Sequence, residues 1–167
     1  MRANNYLVVE LTVDEVDRVA PLFMQLVDQH REMMAGAWPV RSVEDAWAHR
    51  RGQYLEWLPA GRARMFAAVP AGGPQEPPLG YAVLSVKPSM ASWDIGARVG
   101  ELETLAVGSE VRGRGIGTML IEACQERLRD EGVTHWSVAV VEGNEGATRL
   151  YERAGFRPFY SNMMARL

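Results

Sequence analysis

The chain opens its ordered pattern at YLVVEL (Tyr6–Leu11), a run of apolar and β-branched positions of strand length. Behind it Thr12 and Glu15 have the spacing of a capping box, and Val16, Val19, Ala20, Phe23, Leu26 and Val27 follow at helical intervals. Pro21 falls inside this stretch and predicts a bend in the helix. After the segment 33–41, Ser42 with Asp45 marks a second helix start. Its apolar side carries Trp47, Tyr54 and Leu58, and Pro59 stops it.

The period then shortens. Residues 64–69 (RMFAAV) and 79–87 (LGYAVLSVK) have strand composition and flank PAGGPQEPP at 70–78, which predicts an antiparallel hairpin with a long mobile tip. Residues 99–107 (VGELETLAV) predict a further strand. The segment 112–118 (RGRGIGT) leads from it into a helix with Ile116, Leu120, Ala123, Cys124 and Leu128 on one side, ending near Gly132. Residues 135–141 (HWSVAVV) read as a strand, 144–154 as a short helix stopped by Gly155, and 158–167 as a last strand-like tail. The order βααβββαβαβ mixes hairpins with crossover helices, so the expected fold is α/β (α+β) with one mixed sheet. No internal repeat is present, and residues 1–167 are expected to form a single domain.

Composition narrows the function classes. With 47% hydrophobic and 23% charged residues, the 167-residue chain can bury roughly 70% of its unfolded surface without staples. Eighteen basic against 21 acidic side chains give a net charge of −3, which disfavours a dedicated nucleic-acid binder. One cysteine, Cys124, cannot form an internal disulfide, and His30, His49 and His135 have no zinc-like spacing, so no metal is expected. The apolar run at residues 6–9 is broken by Glu10, and no stretch approaches the ~20 apolar residues of a bilayer span. A cytoplasmic protein with no membrane partner is the expectation.

Candidate chemistry concentrates in one segment. Gly113, Gly115 and Gly117 alternate in a loop that opens a helix, where backbone N–H groups can turn toward a ligand. Unpaired amides at a helix N-terminus suit a phosphate, and Arg112 and Arg114 add two permanent cations. A triphosphate-binding loop would need Gly-Lys-Ser/Thr, yet Thr118 follows Gly117 directly. A dinucleotide fingerprint starting at Gly113 would need Gly or Ala where Thr118 stands.

Arg112-Gly113-Arg114-Gly115-Ile116-Gly117 resembles the (Gln/Arg)-x-x-Gly-x-(Gly/Ala) signature of the GNAT superfamily of N-acetyltransferases, following the Leu-Ala-Val strand end at Leu105, Ala106 and Val107. Asn144, Ala147, Leu150, Tyr151, Gly155 and Phe156 resemble its second signature, Asn-x-x-Ala-x-x-Leu-Tyr-x-x-x-Gly-Phe. The motif-bearing likeness covers about residues 99–160. It implies a mostly antiparallel central sheet with helices on both faces, and a V-shaped splay between the motif strand and the next. It also implies acetyl-CoA as co-substrate, a small-molecule or peptide amine as acceptor, and direct attack in a ternary complex; family members are frequently dimers. By the same resemblance Leu105 and Val107 offer backbone groups to the pantetheine arm, residues 113–118 (Gly113, Arg114, Gly115, Ile116, Gly117, Thr118) cradle the pyrophosphate, and Asn144 contacts the donor from the opposite side. Tyr151 stands where the family tyrosine protonates the leaving thiolate.

The chemistry sets a further requirement. An alkyl amine with a pKa near 10.4 costs roughly 4 kcal/mol to deprotonate at pH 7.4 unless a base accepts the proton. Glu101 and Glu103 lie two apart on a strand and project from one face, and some family members use a glutamate of this strand as base. Glu101 is slightly preferred of the two. Cys124 falls on an apolar stripe and is read as a small buried hydrophobe. His30 borders the acceptor region of the family; Trp38 and Trp93 are candidate pocket walls, and Arg50 and Arg51 read as a solvated helix face. A non-catalytic acyl-CoA-binding module on the same fold is the competing class.

Overall fold

The computed structural model describes residues 5–167. Strand β1 (Tyr6–Leu11) is followed by a 3-10 helix (Val13–Val19), α1 (Ala20–Met34), α2 (Val43–Trp57), β2 (Ala63–Pro70), β3 (Gly80–Pro88) and β4 (Arg98–Val107). A 3-10 turn (Ser109–Val111), α3 (Ile116–Asp130), β5 (Trp136–Val138) and α4 (Glu145–Arg153) complete the order. The sheet runs β1-β2-β3-β4-β5, antiparallel until the last pair, β4 with β5, which is parallel.

Period-2 alternation sorts the central strands between two cores. Met65, Ala67, Val69, Tyr81 and Val83 face α1 and α2, packing with Phe23, Val27, Trp47 and Tyr54. Phe66, Ala68, Ala82, Leu84 and Leu102 face the other way, against Leu120, Cys124 and Leu128 of α3 and Tyr151 of α4. With both faces covered, β2 and β3 need apolar residues at consecutive positions, which is why they read as continuous runs rather than clean alternation.

Three expectations differ from the structure. Pro21 does not bend one long helix: it occupies the first turn of α1, where its missing N–H costs nothing, and the preceding turns are 3-10. The hairpin tip is fastened rather than free, because the Arg18 guanidinium donates to the carbonyls of Pro74 and Glu76 at 2.7 and 2.8 Å. Residues 158–167 form no strand. Their apolar positions come in pairs, Phe159-Tyr160 and Met163-Met164, so no single face can be buried. Phe159 instead stacks on Trp93 at 4.7 Å between ring centroids, and Arg166 lies over Trp38. Among the described residues no helix is long and apolar enough to cross a membrane.

Candidate active site

β5 pairs with β4 only through Gly100–Leu102, and from there the two strands diverge. The Gly108 N–H bonds to the Leu79 carbonyl on the β3 side. Backbone groups alternate along an antiparallel ladder, so those of Ala106 also face β3 while those of Leu105 and Val107 face the open side. The opening is a cleft of about 600 Å³ walled by α1, the end of β4, the last residue of β5 with residues 139–141 beyond it, the loop before α3, and α4.

At one end lies the glycine loop. Gly113 and Gly115 have φ of +75° and +86°, which an L side chain resists, and Gly115 is the N-cap of α3. Gly117 serves close approach: a Cβ there would stand 3.1 Å from Leu150 Cδ2, so its absence brings α4 against the start of α3. The first N–H groups of α3 have no intrahelical acceptor and open toward the cleft. Arg112 lines this end, its Nε donating to the Val107 carbonyl at 3.2 Å and a terminal nitrogen to Gln29 Oε1 at 2.9 Å. Arg114 does not line the cleft; its guanidinium turns back to the Glu110 carbonyl at 3.4 Å.

The opposite end is shaped by a register shift between β3 and β4. Val83 opposes Thr104 while Leu84 opposes Leu102, leaving Glu103 as the extra residue of a β-bulge. Glu103 lines the cleft, and its carboxylate accepts a 2.6 Å hydrogen bond from Ser85. Glu101, slightly preferred on sequence, is ion-paired with Lys87 and is not among the residues that line the cleft. Beneath the bulge the Tyr54 hydroxyl meets Thr104 Oγ1 at 2.9 Å and the Tyr81 hydroxyl at 3.3 Å, and burial holds both phenols above their ordinary pKa. Arg50 is not a solvated side chain: its guanidinium sits about 6 Å from the rings of Phe23, Tyr54 and Trp57. Arg51 pairs with Asp17. His30 also lines the cleft, with its pKa lowered by burial, so its ring is neutral at pH 7.

Tyr151 comes up from α4 into the wall between the two ends. It is 8% exposed, and burial pushes its phenol to about 12, which keeps the proton on oxygen throughout the neutral range. Asn144 caps α4, its side-chain carbonyl accepting from the Ala147 N–H at 3.1 Å, and only its amide nitrogen remains for the cleft. Cys124 is buried, with its thiol raised to about 12, which removes it as a nucleophile. Gln25, Gln29 and Ser85 were invisible to motif reasoning. Their spacing carries no signal: the packing of α1 beside β4 brings Gln25 and Gln29 to the cleft, and the pairing of β3 with β4 brings Ser85 against Glu103.

The mixed sheet opens beyond the short parallel pair of β4 and β5, and the glycine loop lies at that gap. Residues 26–156 match the Acetyltransferase (GNAT) family, and the chain belongs to that family. It is 30% identical over 129 residues to mycothiol acetyltransferase of Rhodococcus jostii (strain RHA1), a match covering 77% of this chain and 38% of that protein. The chain thus spans well under half the length of that relative. It is 27% identical over 124 residues to aminoglycoside N(6')-acetyltransferase type 1 of Klebsiella aerogenes, covering 74% of this chain and 78% of the other. The solved structure of aminoglycoside N-acetyltransferase AAC(6')-Iy in complex with CoA shares the fold, with a TM-score of 0.74 at 20% identity over 99% of this chain and 97% of that one.

Proposed function

We propose that this chain moves the acetyl group of acetyl-CoA to a primary amine of a small molecule or peptide by direct attack in a ternary complex. The observation that carries the reading is the single cleft that holds the glycine loop at one end and Glu103 at the other. The N–H groups of Leu105 and Val107 and the Leu105 C=O, which face the open side, match an extended amide-bearing arm, and the loop amides of residues 113–118 match a pyrophosphate.

In this reading Glu103, held by Ser85, accepts a proton from the amine nitrogen as that nitrogen bonds to the acetyl carbon, the point at which the nitrogen becomes acidic enough to give it up. The amine nitrogen forms a bond to the acetyl carbon, the carbon–sulfur bond breaks, and the thiolate departs. Tyr151 donates a hydrogen bond to that sulfur. With its phenol near 12, full transfer to a thiolate whose acid lies near 8.5 is uphill by about 5 kcal/mol, so the proton that finally resides on sulfur is the one released by the amine. The names of the relatives favour small amines as acceptors, with an aminoglycoside such as neamine the first to try.

Release of CoA thiol across neamine, spermidine, lysine and a peptide α-amine tests the reading. Turnover with at least one of these is expected, falling about 10- to 100-fold in Tyr151→Phe. Saturable acetyl-CoA binding with no turnover on any of them, water-only hydrolysis included, would move the chain to the non-catalytic acyl-CoA-binding class.

A further inference from the structure

Half of the arginines among the described residues lie against a carboxylate, Arg18, Arg51, Arg98 and Arg127 among them. Arg112 does not. No carboxylate among the described residues pairs with it, and its guanidinium is held at the lip of the cleft by two neutral oxygens, the Val107 carbonyl and Gln29 Oε1. A guanidinium has five N–H donors in a planar fork, and two such bonds fix its plane while leaving the other donors open. Neutral acceptors also leave its charge uncancelled, where a glutamate at position 29 would neutralise it.

The partner comes from far away in sequence and from a different wall. Gln29 is on α1, the helix that also brings Leu22, Leu26 and His30 to the cleft. One turn earlier on the same helix, Gln25 Oε1 accepts from the Ser109 N–H at 3.4 Å, so α1 touches the donor loop twice. Neither contact is needed to fold α1, whose buried positions are Leu22, Phe23 and Val27.

We propose that Gln29 is a positioning residue for donor binding: it orients Arg112 as an uncompensated cation toward the pyrophosphate of the acyl donor. This rests on the donor-site reading above and adds to it a residue outside both sequence signatures. A helix that forms the acceptor wall thereby sets the geometry of the phosphate end.

Isothermal titration with CoA tests this without an acceptor, using wild type, Gln29→Ala, Gln29→Glu, Arg112→Ala and the Gln29→Ala/Arg112→Ala double variant, each checked by thermal melting. Gln29→Ala and Arg112→Ala are expected to weaken CoA about tenfold, and the double variant no more than Arg112→Ala alone, because the glutamine acts through the arginine. Gln29→Glu keeps an acceptor for Arg112 but cancels its charge, so it too is expected to bind CoA about tenfold more weakly with an unchanged melting temperature. The same losses are expected with dephospho-CoA, which retains the pyrophosphate. Wild-type affinity in Gln29→Glu, or full additivity in the double variant, reduces Gln29 to a structural prop and overturns the inference. Failure of folded wild type to bind CoA at all overturns the donor-site reading itself, and the inference with it.

Discussion

One residue of strand register sets which glutamate lines the cleft. Glu101 and Glu103 share a face, as their spacing indicates, but the bulge lies between Leu102 and Thr104 and puts only Glu103 into the cleft. Lys87 on β3 then takes Glu101. None of this is readable from β4 alone, since a bulge is a property of two paired strands and Lys87 and Ser85 lie more than a dozen residues away. The motif residues were legible for the opposite reason: Gly113, Gly115 and Tyr151 do local work, setting a turn or filling a helix position, so their spacing is preserved in the sequence itself. Glu103→Gln is expected to lower kcat by about 100-fold at pH 7 and leave KM for acetyl-CoA within about twofold, whereas Glu101→Gln stays within about twofold in both. Steady-state thiol release with the best acceptor measures this. Equal losses in the two variants would place the base elsewhere.

Elements were predicted best where a period runs long and worst where tertiary contacts decide. The apolar side of α3 was read almost residue for residue, because Leu120, Cys124 and Leu128 meet the sheet at helical intervals. By contrast, β5 is shorter than its apolar run suggests, since pairing stops where the strands diverge. The 71–79 tip looked mobile because Pro and Gly dominate its composition, and the arginine that ties it down sits on the 3-10 helix. That helix is itself braced: the Glu15 carboxylate accepts from the Thr12 N–H and pairs with Arg18, which together hold its pKa low. Arg18→Ala is expected to speed proteolytic cleavage within 71–79 severalfold and to cost about 1–2 kcal/mol in a urea melt, leaving CoA binding unchanged. Unaltered proteolysis would show that the tip is held by its own turns.

At the scale of the molecule, the sheet separates two cores and opens only where β4 and β5 part, so the cleft follows directly from incomplete strand pairing. Two titratable groups, Cys124 and Tyr151, lie in the α3/α4 core with pKa values raised by burial, the thiol from 9.0 and the phenol from 10.0, each to about 12. A raised acid favours the protonated folded state. The stability this supports is complete below the unfolded pKa, about 9, and is lost as pH rises toward 12, because the unfolded chain gives up these protons first. Stability in urea is therefore expected to be nearly flat from pH 7 to 8.5 and to fall by pH 10.5, by about 2 kcal/mol for the thiol and about 1 kcal/mol for the phenol. A midpoint unchanged at pH 10.5 would mean that the α3/α4 core admits solvent. Amine acetylation gains from alkaline pH through a larger neutral amine fraction, so activity is expected to peak below this window and then fall with the fold.

Every role proposed in the cleft depends on the glycine loop receiving the phosphates of the acyl donor. Calorimetric titration of CoA into wild type and Gly115→Asp tests it most directly. Gly115 has open space where a Cβ would stand, and aspartate is among the residues that enter the left-handed backbone at least cost, so the variant is expected to fold with a lowered melting temperature. The new carboxylate would face the pyrophosphate. One CoA bound per chain is expected in wild type, and at least about 100-fold weaker binding in folded Gly115→Asp. Equal affinity in the two proteins, or none in folded wild type, would contradict it.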